Sequence, residues 1–151
     1  MAADSLENII ETAIGREQEA YRFYEAVARK ASDPGVREVF QKLASEERDH
    51  ERLLWKSRGD ATLNLKFTAP YDFKVAEAVE MPELSSDMKP AEAIQWAMKK
   101  ELQAAEYYQG LAGSCSDGAL RSAYENLANM ELGHKHILEI LFVDKGYPEV
   151  W

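Results

Sequence analysis

The sequence holds a single cysteine, Cys115, which excludes an internal disulfide framework and any zinc site built from several cysteines. No apolar run approaches the roughly 18 residues that a membrane-spanning helix requires, so no membrane role is expected. Basic residues are scarce as well: Lys and Arg number 18 against 27 Asp and Glu, a formal net charge of -9. That acid excess would repel phosphates, which argues against a nucleic-acid or anionic-membrane partner. The first residues, Met1 to Glu11, are acidic and polar and lack the features of a secretory signal, so the expected location is the cytoplasm. What remains is 151 residues, 46% hydrophobic and 30% charged, enough for one soluble domain spanning 1–151 with its own core. Histidine is rare too, at three residues.

Helical periodicity dominates the chain. From Leu6, steps of three and four residues visit Ile10, Ala13, Glu17, Ala20, Tyr24, Val27 and Ala31, one helix face that is apolar except at its middle. Ser5 is its expected N-cap. A second segment is announced by Asp33-Pro34, a capping acid before proline, and carries the stripe Val36, Phe40, Leu43, Glu47, His50, Leu54. A third follows Pro90 (Ile94, Ala97, Glu101, Ala104, Tyr108, Leu111), and a fourth follows Asp117 (Leu120, Tyr124, Leu127, Glu131, His134, Leu138, Leu141). The turns within each pair span only a few residues, so each pair is predicted to be an antiparallel hairpin, about 6–58 and 90–145. The link of about 59–89 is long enough to run the length of a bundle, which would set the second and third segments parallel. It holds an alternating stretch, Leu63 to Thr68, and an expected short helix around Phe73 to Val79.

A shift of 84 residues lays the first pair on the second without a gap. Glu17 falls on Glu101, Tyr24 on Tyr108, Ser32-Asp33 on Ser116-Asp117, Arg37 on Arg121, Glu47 on Glu131 and His50 on His134. Shared alanines and leucines would follow from any two amphipathic helices. Equal loop lengths and coincident glutamates and histidines require a duplication, and hence a bundle with a pseudo-two-fold axis. The predicted architecture is therefore an all-α four-helix bundle made of two repeated hairpins joined by a long crossover.

The polar residues that interrupt the four stripes are Glu17, Glu47 with His50, Glu101, and Glu131 with His134. Each lies near the midpoint of its helix, so all four helices deliver them to one central layer. Burying an unpaired carboxylate costs several kcal/mol, and four together would exhaust a net stability of about 5–15 kcal/mol. No Lys or Arg interrupts these stripes, so a metal is the expected counter-charge, two divalent ions balancing four carboxylates beside two neutral histidines. Glu-x-x-His sets both side chains on one face, roughly 4.5 Å apart in rise, so that the glutamate can bridge two metals while the histidine caps one. Glu17 and Glu101, alone on their helices, are the expected terminal carboxylates. Carboxylate-rich sites with one nitrogen per metal suit iron or manganese rather than calcium, magnesium or structural zinc. Two iron ions are the first choice, with manganese, or zinc substitution in a recombinant preparation, as the alternative. Tyr24 and Tyr108 lie two turns beyond Glu17 and Glu101, where they are candidates to hydrogen-bond the ligand carboxylates and equally placed as ordinary core aromatics.

The other titratable residues are read as bystanders. His136 is two residues from His134 and points elsewhere, as a surface histidine. Glu46 has Met130 as its repeat counterpart and is assigned to the rim or surface. Glu19, Glu25 and Glu106 form a solvated face, and Cys115 occupies a turn.

With these residues in place, the chain resembles the rubrerythrin-like branch of the ferritin-like superfamily over about 6–58 and 90–145. The resemblance is carried by Glu17, Glu47-Arg48-Asp49-His50, Glu101 and Glu131-Leu132-Gly133-His134. It implies a non-haem di-iron centre that reacts with hydrogen peroxide or dioxygen as an oxidoreductase of oxidative-stress type. Glu47 and Glu131 would bridge the irons, with Glu17 and His50 on one and Glu101 and His134 on the other. Typical rubrerythrins also carry a four-cysteine rubredoxin domain. A chain with one cysteine implies an external electron donor, such as a rubredoxin-like protein. They carry a further glutamate one turn after the third-helix ligand; here Ala104 stands there, matching Ala20. Three function classes follow: a peroxide-reducing or ferrous-oxidising enzyme, an iron-storage shell, and a metal-binding bundle without turnover. The expected assembly is a homodimer or higher homo-oligomer, and the long link makes a dimer, with hairpins exchanged or not, easier to form than a large shell.

Overall fold

The computed structural model describes residues 5–59, 67, 69–85 and 87–145. Among these residues there are five helices and no strand: α1 (Leu6–Lys30), α2 (Pro34–Gly59), α3 (Val75–Ala78), α4 (Pro90–Gly113) and α5 (Gly118–Lys145). The all-α four-helix bundle of two hairpins is thus the observed fold. The alternating stretch 63–68 lies outside the described residues apart from Phe67, and the tail 146–151 lies outside them altogether.

The helix starts obey the 84-residue shift to the residue, Leu6 on Pro90 and Pro34 on Gly118. Capping chemistry explains why. The Ser5 side chain accepts from the Asn8 amide at the head of α1. Asp33 Oδ1 accepts from the amides of Gly35 and Val36, and Asp117 Oδ1 from those of Ala119 and Leu120. Each hairpin turn is then tied by an arginine, Arg37 to the carbonyl of Ala31 and Arg121 to that of Cys115. The aspartate cap and the arginine tie of one turn thus have their counterparts 84 residues on.

α1 packs along α2 and α4 along α5, and the two hairpins meet through α2 against α4 and α1 against α5. A Cβ on Gly35 would lie 3.2 Å from Pro90 Cγ, and the rings of Phe40 and Trp96 have centroids 6.0 Å apart. The N-termini of α2 and α4 therefore share one end of the bundle, and these helices run parallel as the long link requires. Two apolar clusters fill the core. One, at that shared end, joins Tyr24, Phe40, Ile94, Trp96, Leu138 and Phe142. The other, at the opposite end, joins Ile9, Ile10, Leu54, Tyr108, Tyr124 and Leu127. Each large side chain buried there contributes about 2–3 kcal/mol. The polar midpoints of the four long helices are sandwiched between the clusters.

The crossover is strapped down rather than free. Its short helix α3 falls inside the stretch expected to be helical. Ala76 N–H donates to Glu139 Oε2 at 2.9 Å, and Lys99 Nζ donates to the Ala76 carbonyl at 3.0 Å. At the other end of the link, the Phe67 amide donates to Asn126 Oδ1, and Asn129 Nδ2 donates to the Phe67 carbonyl. No helix among the described residues is long and apolar enough to cross a membrane.

Candidate metal centre

The layer between the two clusters contains all six residues singled out by the helical stripes. Glu17, Glu47, Glu101, Glu131 and His134 are buried to within a few per cent, and His50 is half-buried. α1 and α4 each deliver one carboxylate; α2 and α5 each deliver Glu-x-x-His from one face. His134 Nδ1 lies 3.3 Å from Glu47 Oε1 and 3.4 Å from Glu101 Oε1. His50 Nδ1 lies 3.8 Å from Glu17 Oε2. The two imidazoles stack face to face, ring centroids 4.2 Å apart and planes inclined by 11°. The carboxylates thus gather on the α1 and α4 side of the layer and the imidazoles on the α2 and α5 side.

The charges are tightly coupled. Burial works to lower the His134 pKa, but Glu101 and Glu47 beside the ring outweigh it and hold the imidazolium well above its usual range. Burial and the neighbouring His134 push His50 down to about 3, because two stacked rings cannot both carry charge. Burial raises the Glu101 pKa, yet His134 prevails and keeps it ionised. Glu131, pressed by burial and then by Glu101 and Glu47, is pushed well above the carboxylate range. Burial lifts Glu47 to about 7 against the pull of His134. Without a metal the charge therefore rests on the pair of His134 and Glu101, with Glu131 held protonated beside them.

Hydrogen bonding leaves the same centre incomplete. Glu17 Oε2, His50 Nδ1 and His134 Nδ1 are buried without a hydrogen-bond partner, an arrangement that costs about 1–3 kcal/mol per group unless something else satisfies it. Glu47, His50 and His134 each offer a ligand atom within 4.8 Å of the others, as do Glu101, Glu131 and His134. These two triads overlap at His134 and fit divalent ions; Glu17 belongs to neither, and its orphaned Oε2 faces His50 instead.

Tyr24 donates its hydroxyl to Glu101 Oε1 at 3.3 Å, and burial, then Glu101 and Glu131, raise its pKa. Its counterpart Tyr108 is buried with its hydroxyl lacking a hydrogen-bond partner, and burial and then Glu131 raise its pKa. The duplicated tyrosines are thus not equivalent. A cavity of about 360 Å³ opens between α1 and α4 onto Glu17, Glu47, Glu101 and Glu131, with Ala20 and Ala104 in its wall and Arg16 and Lys100 among its lining residues. These last four are two repeat-related pairs, so the cavity follows the pseudo-two-fold axis. Its size is at the low end for small-molecule pockets.

Two features were not legible in the stripes. Glu46, expected at the rim or surface, is only about a quarter exposed, and its Oε2 lies 3.4 Å from His134 Nε2. The adjacent pair Glu46-Glu47 ahead of His50 was the available signal, and the mismatch with Met130 obscured it. Away from the centre, Asp72, Glu77 and Glu139 form a further acidic group. The Lys135 ammonium already sits inside it, at 2.7 Å from Asp72, 2.9 Å from Glu77 and 3.2 Å from Glu139. The spacing of Lys135 and Glu139, four residues apart, was the signal there. His136 points away from the centre as expected, half-buried under the Phe73 ring, with centroids 5.2 Å apart. Cys115 is a free thiol at the hairpin turn.

Comparison with known proteins agrees with this geometry. A solved structure of a hypothetical protein from Pyrococcus furiosus is similar, with 30% identity over 92% of this chain and 89% of that one and a TM-score of 0.51. No curated protein matches. The rubrerythrin family profile matches residues 8–142, which run from the first turn of α1 to the last turn of α5 and include every residue of the central layer. The chain belongs to the rubrerythrin family, whose ferritin-like bundle is the fold described above.

Proposed function

We propose that this chain is a di-iron carboxylate oxidoreductase that reduces hydrogen peroxide or, with dioxygen, oxidises ferrous iron, drawing electrons from an external donor. The observation that carries the reading is the set of unpartnered buried atoms Glu17 Oε2, His50 Nδ1 and His134 Nδ1 among four converging carboxylates. Glu17 with His50 and Glu101 with His134 would hold one ion each, and Glu47 and Glu131 would bridge them. Two ferrous ions held there would supply one electron each, enough with two protons to take one peroxide to two waters. The chain does the rest. Ala20 and Ala104 leave room for a small oxidant to approach through the axial cavity. The two apolar clusters above and below exclude bulk water from the layer. Tyr24 holds Glu101 Oε1 in place. Loading the centre requires Glu131, Glu47 and His134 to give up protons, so affinity should rise with pH through the range around 7.

Metal analysis followed by rapid mixing tests this. Anaerobically reconstituted protein should hold two irons per chain and change its visible spectrum within one turnover when mixed with peroxide or dioxygen. Iron bound without any spectral response to either oxidant would favour a binding protein without turnover. A Tyr24→Phe variant should keep the metal count and lose about tenfold in affinity, as outer partners of metal ligands typically do. An unchanged affinity would make Tyr24 a packing residue only.

A further inference from the structure

The pseudo-symmetry of the centre fails at one residue beside each bridge. Glu46 precedes Glu47 on α2; 84 residues on, Met130 precedes Glu131 on α5 and is buried at 2% exposure. Glu46 Oε2 faces Nε2 of His134 at 3.4 Å, while Nδ1 of the same ring faces Glu47 and Glu101. His50 likewise turns Nδ1 toward the carboxylates, at 3.8 Å from Glu17 Oε2, but the position that would serve it by symmetry is a thioether.

An imidazole that ligates through one nitrogen needs its other N–H bound. A carboxylate there fixes the tautomer, stops the ring from swinging, and makes the ligating nitrogen a better donor. His134 has that carboxylate in Glu46. His134 is also the more enclosed ring, its side chain 5% exposed against 17% for His50. Glu46 belongs to α2 and His134 to α5, so the pair ties one hairpin to the other and holds the His134 ring at the nitrogen opposite the one that faces Glu47 and Glu101.

We infer that Glu46 is a positioning residue for His134 that makes the two metal positions unequal, so that the position of His134 and Glu101 fills first and that of His50 and Glu17 second. This rests on the di-metal reading above and adds an order of loading to it. The physical consequence is a protein that passes through a state with one ion bound. Two equivalent half-sites would pass through it only statistically.

Cobalt(II) titrated anaerobically into the metal-free full chain, followed by calorimetry and visible absorption, tests the order. Wild type should take up two ions in two steps at least tenfold apart in affinity. Glu46→Met, which copies the opposite half-site, should weaken the first step by 10–100-fold and merge the two, with the total still two. Glu46→Gln, which keeps an acceptor oxygen without the charge, should fall between them and guards against a methionine variant that folds poorly. Nitrogen-15 chemical shifts supply a second readout. With zinc(II) in place of cobalt, His134 should show one sharp Nε2–H signal in wild type, and in Glu46→Met that proton should exchange faster with water. One merged step in wild type, a two-step isotherm unchanged by Glu46→Met, or loss confined to the second step would each overturn the inference while leaving two metals in place. A wild-type chain that binds no cobalt would instead overturn the di-metal reading.

Discussion

A Glu131→Gln variant should bind at most one iron per chain, and its metal-free form should melt at or above the temperature of metal-free wild type. The two effects have opposite signs because the same carboxyl group does both jobs. In the metal-free core, Glu131 is 5% exposed and forced up in pKa by burial and by Glu101 and Glu47. A neutral amide of the same shape removes a group that the core holds at a cost. Holding a carboxyl protonated at neutral pH costs about 1.4 kcal/mol for each unit by which the pH lies above its ordinary pKa, and the amide is spared that cost. About 1 kcal/mol would raise the melting temperature by about 2–4 °C for a chain of this size. With ferrous iron present the order should reverse. Ligand at one hundred times its dissociation constant adds about 2.7 kcal/mol to wild type, or about 5–11 °C. A variant that cannot bridge gains little. Glu47→Gln, its counterpart across the axis, should behave the same way. Calorimetry with and without ferrous iron, together with metal analysis, reads both signs. Iron content near two per chain in either variant would refute the bridging role.

The parts of the molecule that could be read in advance are those governed by helical periodicity and its punctuation. Ser5, Asp33 and Asp117 cap where their residue types demand it, because a helix N-terminus must satisfy free amides with a short polar side chain. Glu17, Glu47, Glu101 and Glu131 were visible because each breaks an apolar stripe at a place that the fold must bury. The parallel run of α2 and α4 followed from the length of the link. Glu46 was not legible in this way. It sits one residue off the stripe, and only the splay of side chains across the centre brings it to His134. The difference between Tyr24 and Tyr108 was hidden for the same reason: equal positions in sequence do not ensure equal neighbours once packing is settled. Lys135 was hidden differently. Its surroundings are supplied by the crossover, whose path no periodicity describes.

Lys135→Met should lower stability by about 3 kcal/mol, with little direct effect on the metal centre. The ammonium is 1% exposed and is held by Asp72 and Glu77 from the crossover and by Glu139 from its own helix. Asp72 and Glu77 are more than a third exposed, so they regain water when the lysine is gone, and their loss is modest. Glu139 cannot. It is 1% exposed, its Oε1 already lacks a partner, and its remaining contact is the Ala76 amide. Breaking a buried pair by removing one member typically costs 3–5 kcal/mol because a charge is stranded; the exposed partners place this case at the lower end. The melting temperature should fall by about 6–12 °C. The stranded charge, rather than the lost contacts, is what the double variant isolates. Lys135→Met with Glu139→Gln should recover at least half of the loss, since no buried carboxylate remains and the amide oxygen can still accept from Ala76. A simple packing role for Lys135 predicts additive losses instead. The strap matters beyond stability because Lys135 is the residue after His134 on α5. The ion cluster that holds the crossover down also anchors the turn of helix that presents the imidazole, so hydrogen exchange at Ala76 and around Lys135 should accelerate together in Lys135→Met. Exchange that rises at Ala76 alone would show that the crossover opens without disturbing α5.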